Sequence, residues 1–266
     1  MASPTRSPLP TGDMGVAIDE DSEVAALRRL LSSGPRTNRQ RPPSLGTPAS
    51  PAPVAAPSSN ADKMSSATRL LGLLQDRNGL DEARPMLEHE LKTREDSLGP
   101  SHPDTLLSLT CLAMLMQAKG ELKEARPLYE RALKGFSERY GEDHRDTLIS
   151  ANNLAVLLKA MGFLAEARPL YERVLAGDMS QLGPSHPHTL DSIYNLARLH
   201  QAEGDIAAAL PLFKQELEGC SGLYGPGHQE TCTSAKNLRQ LYVQTGDTAG
   251  AAELTQRFQL PPDEPQ

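Results

Sequence analysis

A 42-residue internal repeat constrains the fold of this 266-residue chain more than any other feature of its sequence. Three residue types recur at this step: Gly99, Gly141, Gly183 and Gly225; His102, His144, His186 and His228; Thr105, Thr147, Thr189 and Thr231. A fixed period of this length is typical of a solenoid, in which each unit buries its apolar face against its neighbours. We therefore predict an array over 61–260, with repeats at 61–98 (degenerate), 99–140, 141–182, 183–224 and 225–260.

Each repeat has the sequence pattern of a helical hairpin. In the second complete repeat, apolar residues at helical spacing predict a first helix over about 146–161. Gly162, just beyond the last turn, is predicted to end this helix. A second helix is predicted over about 164–179. Pro169 falls inside it, and a helix start near Glu166 would place its missing N–H among the unpaired donors of the first turn. The repeats contain no strand pattern, so the predicted fold class is all-α.

The first 60 residues differ in composition from the repeats. They contain 10 of the 22 prolines together with many serines and alanines. Such a segment buries too little apolar surface to offset its conformational entropy, so 1–60 is predicted to be a disordered tail. Within it, 21–31 could form a transient amphipathic helix or a docking peptide, and its length favours the former. Residues 261–266 are predicted to be a short C-terminal tail.

Composition and charge argue against several classes of protein. The net charge of −7 disfavours a nucleic-acid-binding protein, which would need a basic face. No stretch of 18 apolar residues is present, so we expect no membrane insertion. The three cysteines are an odd number without a CxxC pair, which favours a reducing compartment and a cytoplasmic location over a disulfide framework.

No motif in the sequence indicates catalysis or a cofactor. There is no GxGxxG, GxxxxGK[ST], HExxH or GxSxG sequence, so we expect neither an enzyme nor a bound cofactor. The periodic histidines do not predict a metal site, because packed helices lie about 8–10 Å apart and zinc ligands must lie about 2 Å from one ion. We interpret His102 and its equivalents as caps of the first helix in each repeat.

Further residues give the array a family resemblance. The pattern of small residues at Ala155 and Ala167, followed by the large residue Tyr171, resembles that of the tetratricopeptide repeat. The 42-residue period and the segments HPDT, NNLA and EARPLYERAL, at 102–105, 152–155 and 124–133, resemble the kinesin light chain-like subclass. The resemblance covers 61–258 and implies a right-handed superhelical solenoid of helix-turn-helix units with a protein-binding role.

One face of the first helix in each repeat is not needed for packing within the repeat. In the second complete repeat this face carries Ile149, Asn153 and Val156, opposite the core stripe. The resemblance implies that this face lines a concave peptide-binding groove. The candidate groove residues are Leu107, Cys111, Met114, Ile149, Asn153, Val156, Lys159, Asn195, Arg198, Lys236, Asn237 and Gln240. Their asparagines could pair with a peptide backbone, and their cations favour acidic side chains.

The leading hypothesis is a non-enzymatic scaffold or adaptor that binds extended peptide segments of other proteins; the sequence does not identify the partner. A narrower alternative is a kinesin light chain-like cargo adaptor of a microtubule motor. Members of that family carry a heptad-repeat coiled coil before the repeats, and no sustained heptads occur in 1–60. An alternative of another class is a regulatory arm for a separate catalytic or nucleotide-hydrolysing subunit. In an alternative to the groove interpretation, some of the candidate groove residues only pack the first helix of one repeat against the first helix of the next.

Overall fold

The computed structural model describes residues 79–261, with side chains from residue 83 onward. The predicted tail 1–60, the short helix at 21–31, the segment 61–78 and the last residues, 262–266, lie outside the described part. Within 79–261 the chain forms nine α-helices and no strand. The all-α prediction is therefore confirmed for the repeats that the structure describes.

The helices follow one another as α1 (Gly79–Leu98), α2 (Pro103–Ala118), α3 (Leu122–Tyr140), α4 (Arg145–Ala160), α5 (Leu164–Leu182), α6 (Pro187–Ala202), α7 (Ile206–Tyr224), α8 (Gln229–Thr245) and α9 (Thr248–Phe258). From α2 onward, each helix packs against the next one along the chain. We call α2, α4, α6 and α8 the A helices, and α3, α5, α7 and α9 the B helices with which they form hairpins. Because each B helix also contacts the next A helix, the hairpins stack as a solenoid.

Periodic histidines and threonines fix the start of each A helix. His144 is the N-cap of α4, and its Nδ1 accepts a hydrogen bond from the backbone N–H of Asp146 at 3.2 Å. The hydroxyl of Thr147, which is fully buried, donates to the carbonyl oxygen of Gly141 at 2.8 Å. The same cap is present at His102, His186 and His228, which confirms the predicted capping role.

Glycines set both turns of the repeat. Gly162 has φ of 82°, and the following N–H, of Phe163, donates to the carbonyl of Leu158 at 2.8 Å, which closes the end of α4. Gly141 and Gly183, at the ends of the B helices, have φ of 89° and 85° with ψ of 165° and 168°. Residues with a Cβ rarely adopt these conformations, so the 42-residue glycine pattern specifies the turns.

Helix α5 begins at Leu164, as predicted. Because it does not begin near Glu166, Pro169 lies beyond the first turn and one backbone hydrogen bond of the helix is missing. Pro169 is exposed, and so is Ala165, whose carbonyl would have accepted that bond. Water can hydrogen-bond to this carbonyl, and the helix therefore continues to Leu182, three residues beyond its predicted end.

Small residues allow the two helices of a hairpin to approach closely. Ala167 is fully buried, as are its equivalents Ala125 and Ala209. A Cβ added at Gly177 would lie only 2.5 Å from Cδ1 of Leu148 on the preceding A helix. Gly135 and Gly219 make the same close contact with Leu106 and Leu190, a second set of spacers that we did not predict.

Candidate functional site

Successive A helices lie side by side and are joined by side-chain hydrogen bonds. Nδ2 of Asn195 on α6 donates to Oδ1 of Asn152 on α4 at 3.1 Å. One repeat further on, Nε2 of Gln201 donates to Oε1 of Gln244 on α8 at 3.2 Å. Both pairs are separated by 43 residues, one more than the repeat. Side-chain hydrogen bonds therefore join α4, α6 and α8 into one row of A helices, at an offset of 43 residues.

The structure places most of the predicted groove residues on the accessible surface of this row. Leu107 on α2 is 43% exposed. The exposed candidates also include Lys236 and Gln240. The half-buried candidates are Cys111, Ile149, Val156, Lys159, Asn195, Arg198 and Asn237. Apolar side chains predominate on α2 and α4, and polar or charged side chains on α6 and α8, so the surface changes from apolar to polar along the array.

Two predicted groove residues are buried. Met114 is 4% exposed and Asn153 is 6% exposed. In α2 the five consecutive residues 112–116 are all buried, so this helix is covered around its circumference at that level. The helical wheel identified which side chains point away from the core of their own hairpin. It did not show which of them a neighbouring helix covers.

The structure also identifies a polar residue that the sequence analysis missed. Asn152 precedes the predicted groove residue Asn153, and its side-chain Oδ1 accepts the hydrogen bond from Asn195. The amide nitrogen of Asn195 is therefore already paired, which holds its side chain in place and directs its remaining polar atoms. A contact offset of 43 residues is not visible in a sequence that repeats every 42.

Three cations lie on three successive A helices. Lys159 on α4 and Arg198 on α6 are half-buried, and Lys236 on α8 is exposed. Asp191 on α6, at the position equivalent to Ile149, is half-buried. These four residues therefore give the row three positive charges and one negative charge. A peptide with acidic side chains would meet favourable electrostatics there, which act mainly on association rate and specificity.

The cysteine on this surface has no activated thiol. Desolvation by the surrounding protein raises the pKa of Cys111 to about 11, so the thiol stays protonated at neutral pH. Among the residues that the structure describes, no group of three or more His, Cys, Asp or Glu side chains is arranged to hold a metal ion. The histidines of the repeat use Nδ1 to cap helices.

Comparison with known proteins gives one family and several similar structures. The family model described as the tetratricopeptide repeat matches residues 64–138, 104–178, 147–220 and 189–257. A crystal structure of nearly identical TPR-like repeats, from a Podosopora anserina protein described as a kinesin light chain, has 28% sequence identity and a TM-score of 0.67. It covers 75% of this chain and 94% of its own. No curated protein sequence matches the chain.

A second similar structure is that of BtubC (BKLC) from P. vanneervenii, at 19% identity and a TM-score of 0.65, covering 93% of this chain and 92% of its own. At that identity the likeness concerns the fold alone. The Podosopora anserina repeats confirm the resemblance to the kinesin light chain-like subclass. None of the helices described between 79 and 261 is both long and apolar enough to cross a lipid bilayer.

Proposed function

The chain belongs to the tetratricopeptide repeat family, a fold that serves as a protein-interaction scaffold, and we propose that it binds extended peptide segments along the row of A helices. In this role the protein is not an enzyme and uses no cofactor. The partner is a protein or peptide whose bound segment combines apolar and acidic side chains. The proposal excludes nucleic acid as the ligand.

The observation that carries the proposal is the apolar surface on the accessible side of α2 and α4. Leu107 is 43% exposed, and Ile149 and Val156 are only half-buried, although none of them is needed for packing within its hairpin. Exposed apolar patches on a folded protein mark interaction sites, because covering them removes apolar area from water. A partner that covers these residues would gain this free energy.

The polar half of the row supports an extended peptide as the ligand. Asn237 carries a side-chain donor and an acceptor, and Asn195 keeps its Oδ1 and its second amide hydrogen beside the bond to Asn152. These groups can pair with the N–H and C=O groups of any peptide backbone. Arg198 and Lys236 add charges that favour acidic side chains.

The test uses a displayed library of 12-residue peptides selected against the immobilised full-length chain. A selected peptide is then titrated against the wild type, Val156→Asp, Asn195→Ala and Arg198→Glu. We expect Val156→Asp to weaken peptide binding, because the aspartate cannot make the hydrophobic contact of the valine. Asn195→Ala should weaken binding about 2- to 13-fold, since a net hydrogen bond contributes about 0.5–1.5 kcal/mol. Arg198→Glu should select against acidic peptides and change the salt dependence.

The matched control is Lys134→Glu on the outer surface of α3, where the lysine side chain is 75% exposed. It introduces the same type of charge change away from the A helices, and we expect binding to be unchanged. Circular dichroism checks that each variant is folded. Equal affinity of all variants for the selected peptides would show that the row of A helices is not the binding site.

A narrower proposal is that the partner segment belongs to cargo of a microtubule motor, as the resemblance to kinesin light chain repeats suggests. Co-purification of a motor heavy chain with the tagged full-length protein would support it. A cytoplasmic location is also part of the proposal, because a reducing compartment would preserve the three free thiols.

A further inference from the structure

The caps of the A helices depend on neutral histidine side chains. In each of the four, Nδ1 accepts a hydrogen bond of 3.2 Å from the backbone N–H two residues later. A ring nitrogen can accept only while it carries no proton, and a protonated imidazole has two donors and no acceptor. Protonation at Nδ1 therefore removes the cap and places a positive charge at the positive end of the helix dipole.

In two repeats a nearby carboxylate can compensate for such protonation. Oδ2 of Asp104 lies 3.8 Å from Nδ1 of His102, and Oδ2 of Asp146 lies 3.8 Å from Nδ1 of His144. A protonated ring at either position gains an ion-pair partner as its cap is lost. Glu230 occupies the equivalent position after His228.

The third complete repeat has a histidine at the position where the other three complete repeats have an acidic residue. His188 replaces the aspartate, and its ring centroid lies 5.3 Å from that of His186. On the other side, Nη2 of Arg145 on α4 lies 3.4 Å from Nε2 of His188. Because a guanidinium only donates, Nε2 must accept, and this contact too requires a neutral imidazole.

We propose that Arg145, His186 and His188 form an acid-sensitive joint between the repeats 141–182 and 183–224. When the two imidazoles gain protons, the cap of α6 is lost and the hydrogen bond from α4 is replaced by repulsion among three cations. The start of α6 then separates from the start of α4. The same pair of helices is joined further along by Asn152 and Asn195, so the opening changes the spacing of the A helices in the middle of the array.

The charges around the joint come from three helices. Desolvation lowers the pKa of His186, and the nearby His188 and Arg145 lower it further. Desolvation and then Arg145 lower the pKa of His188. Asp178 on α5 acts in the opposite direction on both rings, and Asp191 on α6 does so on His186. Asp178 is also bound to Ser192, whose hydroxyl donates to its Oδ2 at 2.5 Å.

These directions fix the sign of the pH dependence. Both histidines have a folded-state pKa below the value of 6.5 for an unperturbed side chain. Their contribution to stability is therefore complete above that pH, and it is lost as the pH falls through the folded-state pKa values. The joint is closed at neutral pH and opens as the pH falls through these folded-state pKa values.

The experiment is amide hydrogen exchange of the full-length chain at pH 7.5 and 5.5, with each rate divided by the rate of the unfolded chain at the same pH. Loss of a helix cap corresponds to an increase of about 2- to 30-fold in the local opening constant. We expect this increase at residues 186–192 on acidification and a smaller one at 144–150. His188→Asp, which restores the residue type of Asp104 and Asp146, should abolish the difference between the two segments.

A second variant and a direct titration keep the test independent of this one substitution. His186→Asn retains a strong cap that does not titrate, and we expect it to reduce the acid response of 186–192. Imidazole resonances followed by NMR should show His186 and His188 titrating below pH 6.5. Equal responses of the two segments in the wild type, or a full response in His188→Asp, would overturn the proposal.

Discussion

At the residue scale, Glu216 on α7 is an unusual member of the core. It is 6% exposed, and its Oε1 accepts hydrogen bonds from Ser234 Oγ at 2.6 Å and Cys220 Sγ at 3.3 Å. Its Oε2 is buried without a hydrogen-bond partner. Burial raises the pKa of Glu216, and the acidic neighbours Asp191 and Glu230 raise it further. The side chain therefore favours the protonated form more than an ordinary glutamate does.

The sign of this shift gives a prediction for Glu216→Gln. A raised folded-state pKa contributes stability that is complete below the unfolded-state value of 4.5 and is lost as the pH rises through the folded-state value. Glutamine keeps a carbonyl acceptor for Ser234 and never ionises. We expect the variant to be more stable than the wild type at pH 8, and the difference to shrink at pH 5, in urea unfolding followed by circular dichroism. A difference that does not change with pH would contradict this account.

At the element scale, the contact between α5 and its A helix leaves no room for larger side chains. Ala167 is fully buried, and Gly177 two to three turns later allows Leu148 to lie against the backbone. We expect Ala167→Leu to lower the free energy of unfolding by about 1–3 kcal/mol, because overpacking forces side chains or helices to move. Thermal unfolding followed by circular dichroism measures the change. The matched control is Ala165→Leu, on the exposed side of the same helix. This substitution should leave the unfolding transition nearly unchanged. Equal effects of the two substitutions would show that the contact at Ala167 is not tight.

At the scale of the whole array, arginines at the 42-residue step connect successive repeats through ion pairs. Arg84 pairs with Glu121 at 2.8 Å, Arg126 with Glu166 at 2.8 Å, and Arg168 with Glu203 at 2.6 Å. Each pair joins a helix to the following repeat near the protein surface, where ion pairs are weak individually and screened by salt. The fourth equivalent position is Leu210, so this series ends before the last repeat.

We predict that the double substitution Arg126→Gln and Arg168→Gln lowers the midpoint of thermal unfolding in 10 mM NaCl. The same substitution should have a smaller effect in 1 M NaCl, where screening has already weakened the pairs. Lys134→Gln is the control, because that lysine is 75% exposed and pairs only within its own helix, with Glu138 at 3.8 Å. An effect of the double substitution that is independent of salt would mean that the arginines act through packing of their aliphatic stems.

The predictions that the structure confirms concern features that neighbouring residues determine. The turn at Gly162, the cap at His144 and the start of α2 at Pro103 each depend on the conformation of a few consecutive residues. Because the sequence repeats, the same turns and caps recur every 42 residues. A single sequence was sufficient to predict the hairpins, because the period, the glycines and the apolar stripes all favour the same structure.

The candidate site depended on contacts that are not local, those between each A helix and its neighbours. Asn153 is buried and Asn195 is half-buried, although both occupy the same position in their repeats. Arg145 contacts His188, a pair separated by 43 residues. The amino-acid sequence by itself determined the hairpins and their stacking, because hydrogen-bonded turns and apolar periodicity act over short distances. Only the tertiary structure decided which side chains are open to a partner, because that depends on how two packed helices fill the space between them.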